Sequence, residues 1–279
     1  MATCGASWAR RERDGGVMGD EGAQRHVVVL TGAGISADSG VDTYRDAGGL
    51  WEGHRFEEVA TPEAWETNRG LVWRFYQLRR QNLAAVEPNA AHLALVRLER
   101  ELAGRGEGFT LVTQNVDDLH QRAGSTVLPM HGELSRLRCE VCGSRPVDRE
   151  HLDEEVLVPC PDCGATPLRP DVVWFGEMPY HLPEIEAAVA RATHFIAIGT
   201  SGAVYPAAGY LSYARASGAW TACQGLAEPD NLDPRDAFFG GRASEAVPEL
   251  VDALLADPPR TELGDQMDQR GQIEDRLEE

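Results

Sequence analysis

Four short runs rich in β-branched residues, HVVVL (26–30), FTLVTQN (109–115), HFIAIGTS (194–201) and AWTAC (219–223), are separated by amphipathic stretches such as AAHLALVRLEREL, LPEIEAAVARA and AAGYLSYARAS. Strands that alternate with helices pair in parallel, because each crossover returns the chain to the same end of the sheet. The pattern therefore restricts the chain to the α/β class: a doubly wound parallel sheet with helices on both faces. Two segments interrupt it, an all-helical span from about 50 to 86 and a cysteine-bearing excursion from about 136 to 168. They predict a smaller helical and metal-binding module (49–86 and 136–168) inserted into a larger part (25–48, 87–135 and 169–256), with a cleft between the two. Residues 1–24 and 257–279 are polar and aperiodic, and are expected to be disordered tails.

The 279 residues contain no apolar run long enough to span a bilayer, and the first residues lack the apolar core of a signal peptide. A soluble, cytoplasmic protein is expected. A formal charge of −19 opposes binding to nucleic acid, whose phosphates would be repelled, and favours basic protein partners. All 26 basic residues are arginine; lysine does not occur in the sequence.

Four of the six cysteines form CEVC (Cys139, Cys142) and CPDC (Cys160, Cys163), with 17 residues between the pairs. This is the spacing of a tetrahedral Cys4 zinc site, each two-residue gap presenting two thiolates to one metal. The alternative, two disulfides, is disfavoured in a chain without a secretion signal. Four sulfur ligands leave no open position for a reacting water, so the zinc is expected to be structural, one per chain. Cys4 and Cys223 receive no role.

HVVVL runs directly into TGAGISADSG, which places Gly32 and Gly34 at the carboxyl end of a strand, where backbone N–H groups can approach a phosphate. Gly40 follows Gly34 by six residues, not the three of a dinucleotide fingerprint, so the match is partial. FTLVTQN delivers Gln114, Asn115 and Asp117 to the same sheet edge, as hydrogen-bonding groups for a ribose and a carboxamide or, alternatively, as a helix cap. His131, in PMHGEL, carries the side chain best suited to moving a proton near neutral pH, though a structural role is open to any single histidine. In FYQLRR, Tyr76 and Arg79 share one helix face and can converge on one target, or lie on a solvated surface.

Together, GAGISADSGVDTYRDAGGLW, TQNVDDLH, HGE, the paired CxxC set, VVWFGE and IGTSG occur in the order and approximate spacing of the sirtuins, the NAD-dependent protein-lysine deacylases, over residues 26–256. The resemblance implies a Rossmann-like large domain and NAD consumed as a co-substrate. It implies that Gly32, Ala33, Gly34, Ile35, Ser36, Tyr44, Arg45 and Trp51 wrap the NAD, that Gln114, Asn115, Val116 and Asp117 hold its nicotinamide end, and that Gly199, Thr200, Ser201 and Ala243 hold the adenosine side. Asn115, Asp117 and His131 would be catalytic, with His131 the general base. Phe175, Gly176 and Glu177 would pair with the substrate backbone as an added strand. The implied reaction expels nicotinamide, lets the acyl oxygen attack the ribose, and ends in free lysine and O-acyl-ADP-ribose. In the branch that removes succinyl and malonyl groups a Tyr-x-x-Arg pair reads the acyl carboxylate, and Tyr76 and Arg79 match it, with the small Ala47 leaving room for a longer chain. Two departures stand out: Gly225 where an Asn commonly touches the adenosine ribose, and Tyr44 where Phe is commoner. Other readings are a nicotinamide oxidoreductase, a protein ADP-ribosyltransferase and a catalytically weak NAD-binding module. The expected partners are NAD and acylated lysines of proteins, and the working unit a monomer.

Overall fold

The computed structural model describes residues 24–41 and 54–256. The expectations for Tyr44, Arg45, Ala47, Trp51, Cys4 and the two tails, except Gln24 of the first, fall outside these residues. The elements run β1 (His26–Thr31), two 3-10 turns (Ala33–Ile35 and Ala37–Ser39), α1 (Phe56–Val59), α2 (Pro62–Thr67), α3 (Arg69–Ala84), α4 (Ala90–Gly104), β2 (Gly108–Thr113), α5 (Leu119–Ala123), β3 (Val127–Pro129) and β4 (Gly132–Arg138). They continue with β5 (Arg169–Val172), α6 (Leu182–Ala190), β6 (His194–Ile198), α7 (Ala207–Ala216), β7 (Trp220–Gly225), β8 (Ala237–Gly240) and α8 (Ala243–Ala256).

Six strands form one sheet in the order β3-β2-β1-β6-β7-β8, and every pairing in it is parallel. With the antiparallel β4–β5 hairpin set aside, this is the doubly wound order 3-2-1-4-5-6. The direction of winding reverses between β1 and β6, so a crevice opens at their carboxyl ends, where open α/β sheets take their ligands. Between His26 and Thr31, β1 is apolar because both its faces are covered: Val27 and Val29 belong to the cluster with α4 and α8, Val28 and Leu30 to the cluster with α6 and α7.

A third core joins the two segments that interrupt the alternation. Val59, Trp65, Val72, Trp73 and Tyr76 from the helices pack with Leu134, Leu137, Leu168, Val172 and Trp174 around the hairpin. Asn68 caps α3 by accepting from the Leu71 N–H at 3.2 Å. One face of α3 then docks the chain between the two cysteine pairs: Trp73 Nε1 donates to Asp153 O at 3.2 Å, Gln77 Nε2 to His151 O at 2.7 Å, and Gln81 Nε2 to Leu152 O at 2.8 Å. Phe75 and Arg79 stand on the opposite side of the helix from Gln77. Among the described residues, no helix is long and apolar enough to cross a membrane.

Two histidines lie inside the large core. His92 on α4 and His120 on α5 are fully buried with ring centroids 4.8 Å apart, and His120 Nε2 is 3.0 Å from Thr31 Oγ1. Burial pulls His92 down to about 4 and His120 to about 3, and burial also lowers His26 and His131. An unfolded chain titrates these rings near 6.5, so below that pH it binds more protons than the folded one. Stability is therefore full above about pH 6.5 and falls as pH drops toward the folded values, by at most about 1.4 kcal/mol per pH unit per ring. The urea midpoint is expected to fall between pH 7 and pH 5, less steeply in His120→Gln; an unchanged midpoint in the native sequence overturns the assignment.

Candidate active site

At the switch point Gly32, Gly34 and Gly199 interlock, and a Cβ on Gly32 would lie 2.8 Å from Gly199 O. Gly34 N–H donates to Gly199 O at 2.8 Å, and a Cβ on Gly34 would lie 2.7 Å from Gly199 Cα. A Cβ on Gly199, whose φ is 61°, would lie 2.5 Å from Ile35 N. The loop after β1 thus rests backbone on backbone against the end of β6, a contact that side chains would prevent. Ile35 and Ser36 point inward and are wholly buried.

The end of β2 meets this loop. Asn115 Nδ2 donates to Gly32 O and Ser36 Oγ, each at 3.2 Å, and Ser36 Oγ donates to Asp117 Oδ2 at 2.9 Å. Asp117 Oδ1 accepts from the Leu119 N–H at 3.1 Å, a local bond that shapes the turn leading into α5. Desolvation raises the Asp117 pKa despite these bonds, and the positive charge of Arg79 acts the other way. Gln114 spans the crevice, its Nε2 donating to Thr200 Oγ1 at 3.1 Å. Its carbonyl oxygen lies 2.9 Å from His131 Nδ1. A carbonyl can only accept, so Nδ1 carries the proton and Nε2 keeps its lone pair. Burial lowers the His131 pKa, which keeps the ring neutral at pH 7 and suited to act as a base.

The other expected residues are less directly joined. Val116 belongs to the third core. Ala243 opens α8 and is buried in the same cluster as Ile35, while Ser244 N–H donates to Asp38 Oδ2 at 3.0 Å. Ser201 O accepts from the Asp230 N–H at 3.1 Å. Gly225 ends β7 and accepts from the Gly241 N–H at 3.1 Å. Tyr76 is wholly buried, its hydroxyl 3.0 Å from Trp174 Nε1; Arg79 is half-buried, with its guanidinium carbon 5.7 Å from the Phe75 ring centroid. In the segment Phe175–Gly176–Glu177, the Phe175 ring is exposed, while its N–H donates to Ala60 O at 3.0 Å. Glu177 turns inward, accepting from Arg169 at 2.8 and 2.9 Å and from Arg138 at 3.1 Å. Its carboxylate is thus a brace within the fold.

The sequence profile of the Sir2 family matches residues 32–206, more than half of the chain. The chain belongs to the Sir2 family. It is 50% identical over 236 residues to the NAD-dependent protein deacylase of Shewanella oneidensis, covering 83% of this chain and 95% of that protein. It is 48% identical over 239 residues to the NAD-dependent protein deacylase SIR2rp3 of Leishmania major, covering 84% and 98%. Among solved structures it resembles a Sir2 homolog–NAD complex, with a TM-score of 0.74, 37% identity and coverage of 83% and 90%.

The sulfurs of this Sir2-family chain fit a zinc ion. The Sγ atoms of Cys139, Cys142, Cys160 and Cys163 all lie within 4.8 Å of one another, with Cys139–Cys163 and Cys142–Cys160 at 3.6 Å. A tetrahedron with Zn–S bonds of about 2.3 Å has edges of about 3.8 Å, whereas disulfide sulfurs stand about 2.05 Å apart. Each pair sits on the same turn: Gly143 N–H donates to Cys139 O at 3.0 Å and Gly164 N–H to Cys160 O at 2.9 Å, both glycines being left-handed at φ 76° and 73°. One zinc per chain is expected, and chelation should unfold the hairpin and lower the melting temperature. Structural zinc contributes roughly 10–16 kcal/mol, as much as a whole domain's stability. A metal-free preparation with an unshifted melting temperature would refute this.

Trp174, although part of the VVWFGE motif, received no role from the sequence, and Arg169 was not singled out. Trp174 adjoins the Phe175–Glu177 segment but lies 98 residues from its partner Tyr76, and no local pattern announces such a contact.

Proposed function

We propose that this Sir2-family chain is an NAD-dependent protein-lysine deacylase whose acyl pocket reads a negative charge, so that it removes succinyl and malonyl groups as well as acetyl. The observation that carries the acyl reading is the placement of α3: the Arg79 guanidinium is close enough to act electrostatically on both Asp117 and Tyr76, so a cation and a phenol stand beside the crevice. A guanidinium fork is the group suited to holding a carboxylate out of water.

In this reading Gly32–Ser36, Tyr44, Arg45, Trp51, Gln114–Asp117, Gly199–Ser201 and Ala243 hold NAD, with Asn115 and Asp117 on the carboxamide. NAD supplies the ADP-ribosyl group that receives the acyl chain. His131 Nε2 takes a proton from a ribose hydroxyl, and the Gln114 carbonyl holds the ring in that tautomer. The buried apolar wall of Val116, Tyr76 and Trp174 excludes water. In the same reading the Phe175–Glu177 turn pairs with the substrate peptide through backbone groups other than the Phe175 and Glu177 N–H, which donate to Ala60 O and Trp174 O at 3.0 Å, and the small Ala47 suits a longer acyl chain. A division into 49–86 plus 136–168 and the remainder, with a monomer acting in the cytoplasm, belongs to the same reading.

The test is to incubate the zinc-loaded protein with NAD and acetyl-, succinyl- or malonyl-lysine peptides and to follow products by mass. Nicotinamide and O-acyl-ADP-ribose are expected from all three peptides. Reduction of NAD, or ADP-ribose joined to protein without an acyl peptide, overturns the deacylase assignment. Turnover of acetyl peptide alone overturns the acyl reading.

A further inference from the structure

We propose that Trp174 is a positioning residue for acyl selectivity: its indole N–H occupies the Tyr76 oxygen and thereby commits the phenol proton to the acyl carboxylate. This rests on the reading of Tyr76 and Arg79 given above.

An indole nitrogen donates and never accepts, so at 3.0 Å the Tyr76 oxygen must be the acceptor. The phenol has a single proton, which prefers the ring plane and therefore has two directions to choose from. With the indole N–H on one side of the oxygen, the proton is left to point to the other. Tyr76 is wholly buried, so bulk water does not compete for that proton, and a buried hydroxyl proton needs an acceptor. Burial pushes the phenol up to about 12, which leaves it protonated at working pH. The hydroxyl is thus a donor set in advance, complementary to an anion and mismatched to a second donor.

The indole itself is held from several directions. The Arg169 guanidinium carbon stands 3.4 Å from the Trp174 ring centroid, and Trp65 packs with its centroid 5.9 Å away. Glu177 grips Arg169 with both carboxylate oxygens, at 2.8 and 2.9 Å, and accepts from the Trp174 backbone N–H at 2.9 Å. A cation over the indole face withdraws electron density from the ring and strengthens its N–H as a donor. The inward turn of Glu177 acquires a purpose: it fixes the indole through Arg169, and the indole fixes the phenol.

The experiment reads the ratio of kcat/KM for succinyl-lysine over acetyl-lysine peptide in the full-length, zinc-loaded protein. Trp174→Phe keeps an aromatic ring and removes the N–H. The ratio is expected to fall about fivefold, as loss of one neutral hydrogen bond implies. In a Tyr76→Phe background the same change should alter the ratio by less than about 1.5-fold, because the group it orients is gone. Since Trp174→Phe leaves a gap in the core, benzothienylalanine at position 174, isosteric with Trp but without the N–H, should reproduce the fall. If Tyr76→Phe leaves the ratio unchanged, the carboxylate-reading role fails and this inference with it. If Tyr76→Phe lowers the ratio while neither change at 174 does, the inference alone is overturned. An undiminished effect of Trp174→Phe in the Tyr76→Phe background overturns it as well.

Discussion

Arg79→Met is expected to lower kcat/KM for a succinyl-lysine peptide by roughly 100-fold, while the acetyl value changes by less than about threefold. Methionine keeps much of the apolar stem and the packing on Phe75, whose ring centroid lies 5.7 Å from the guanidinium carbon. It removes the charge, so a succinyl carboxylate brought beside the buried Tyr76 would lack its ion partner. An unpaired buried carboxylate costs several kcal/mol, and about 3 kcal/mol corresponds to the 100-fold loss. Acetyl-lysine brings no charge and escapes that penalty. A smaller effect common to both substrates is expected through Asp117, whose pKa Arg79 holds down and which would rise further without it. The measurement is a pair of steady-state curves, one per acyl group, on the same preparation. Equal loss on both substrates would mean that Arg79 supports α3 and does not read the acyl chain.

The parts of this molecule that were legible in the sequence are those whose cause is local. β1 and β6 read as strands because helices cover both their faces, leaving no polar alternation to confuse the pattern. The zinc site was legible because the two-residue gap and the glycine-ended turn are neighbours in the chain. β3 and β8 were not seen: VLP and AFFG are short, half-buried edge strands with too few residues to carry a period. The partial glycine fingerprint has a spatial explanation. Gly40, with φ 92°, ends a 3-10 turn, whereas the close backbone contact is completed by Gly199, the residue after β6. A third glycine contributed by another strand is invisible to any pattern read along one segment. The same holds for Tyr76: its place on a helix face could be read from FYQLRR, but the indole bonded to its hydroxyl comes from Trp174, beyond the cysteine excursion and 98 residues along the chain.

His131→Ala is expected to lower kcat for deacylation by about 10³-fold or more, with the Kd for NAD within about threefold of its original value and the melting temperature little changed. The ring is neutral because burial opposes its charged form, and its free nitrogen is Nε2 because Nδ1 is spent on Gln114 O at 2.9 Å. Both features are those of a general base, and the half-buried ring is tied to the fold through one backbone carbonyl, so little packing depends on it. Alanine removes the base and leaves the Gln114 carbonyl to water, a cost of about 1 kcal/mol that a folded domain tolerates. The pH dependence gives a second, independent readout. The base is active when deprotonated, and its pKa is lowered from 6.5, so kcat/KM should be flat above neutral pH and fall on the acid side of that value. His131→Asn, which restores a donor toward Gln114 O but no base, should be as inactive as the alanine variant. Recovery of turnover in His131→Asn would show that the imidazole acts by holding Gln114 and its bond to Thr200 in place, and the proton transfer would have to be assigned to another group.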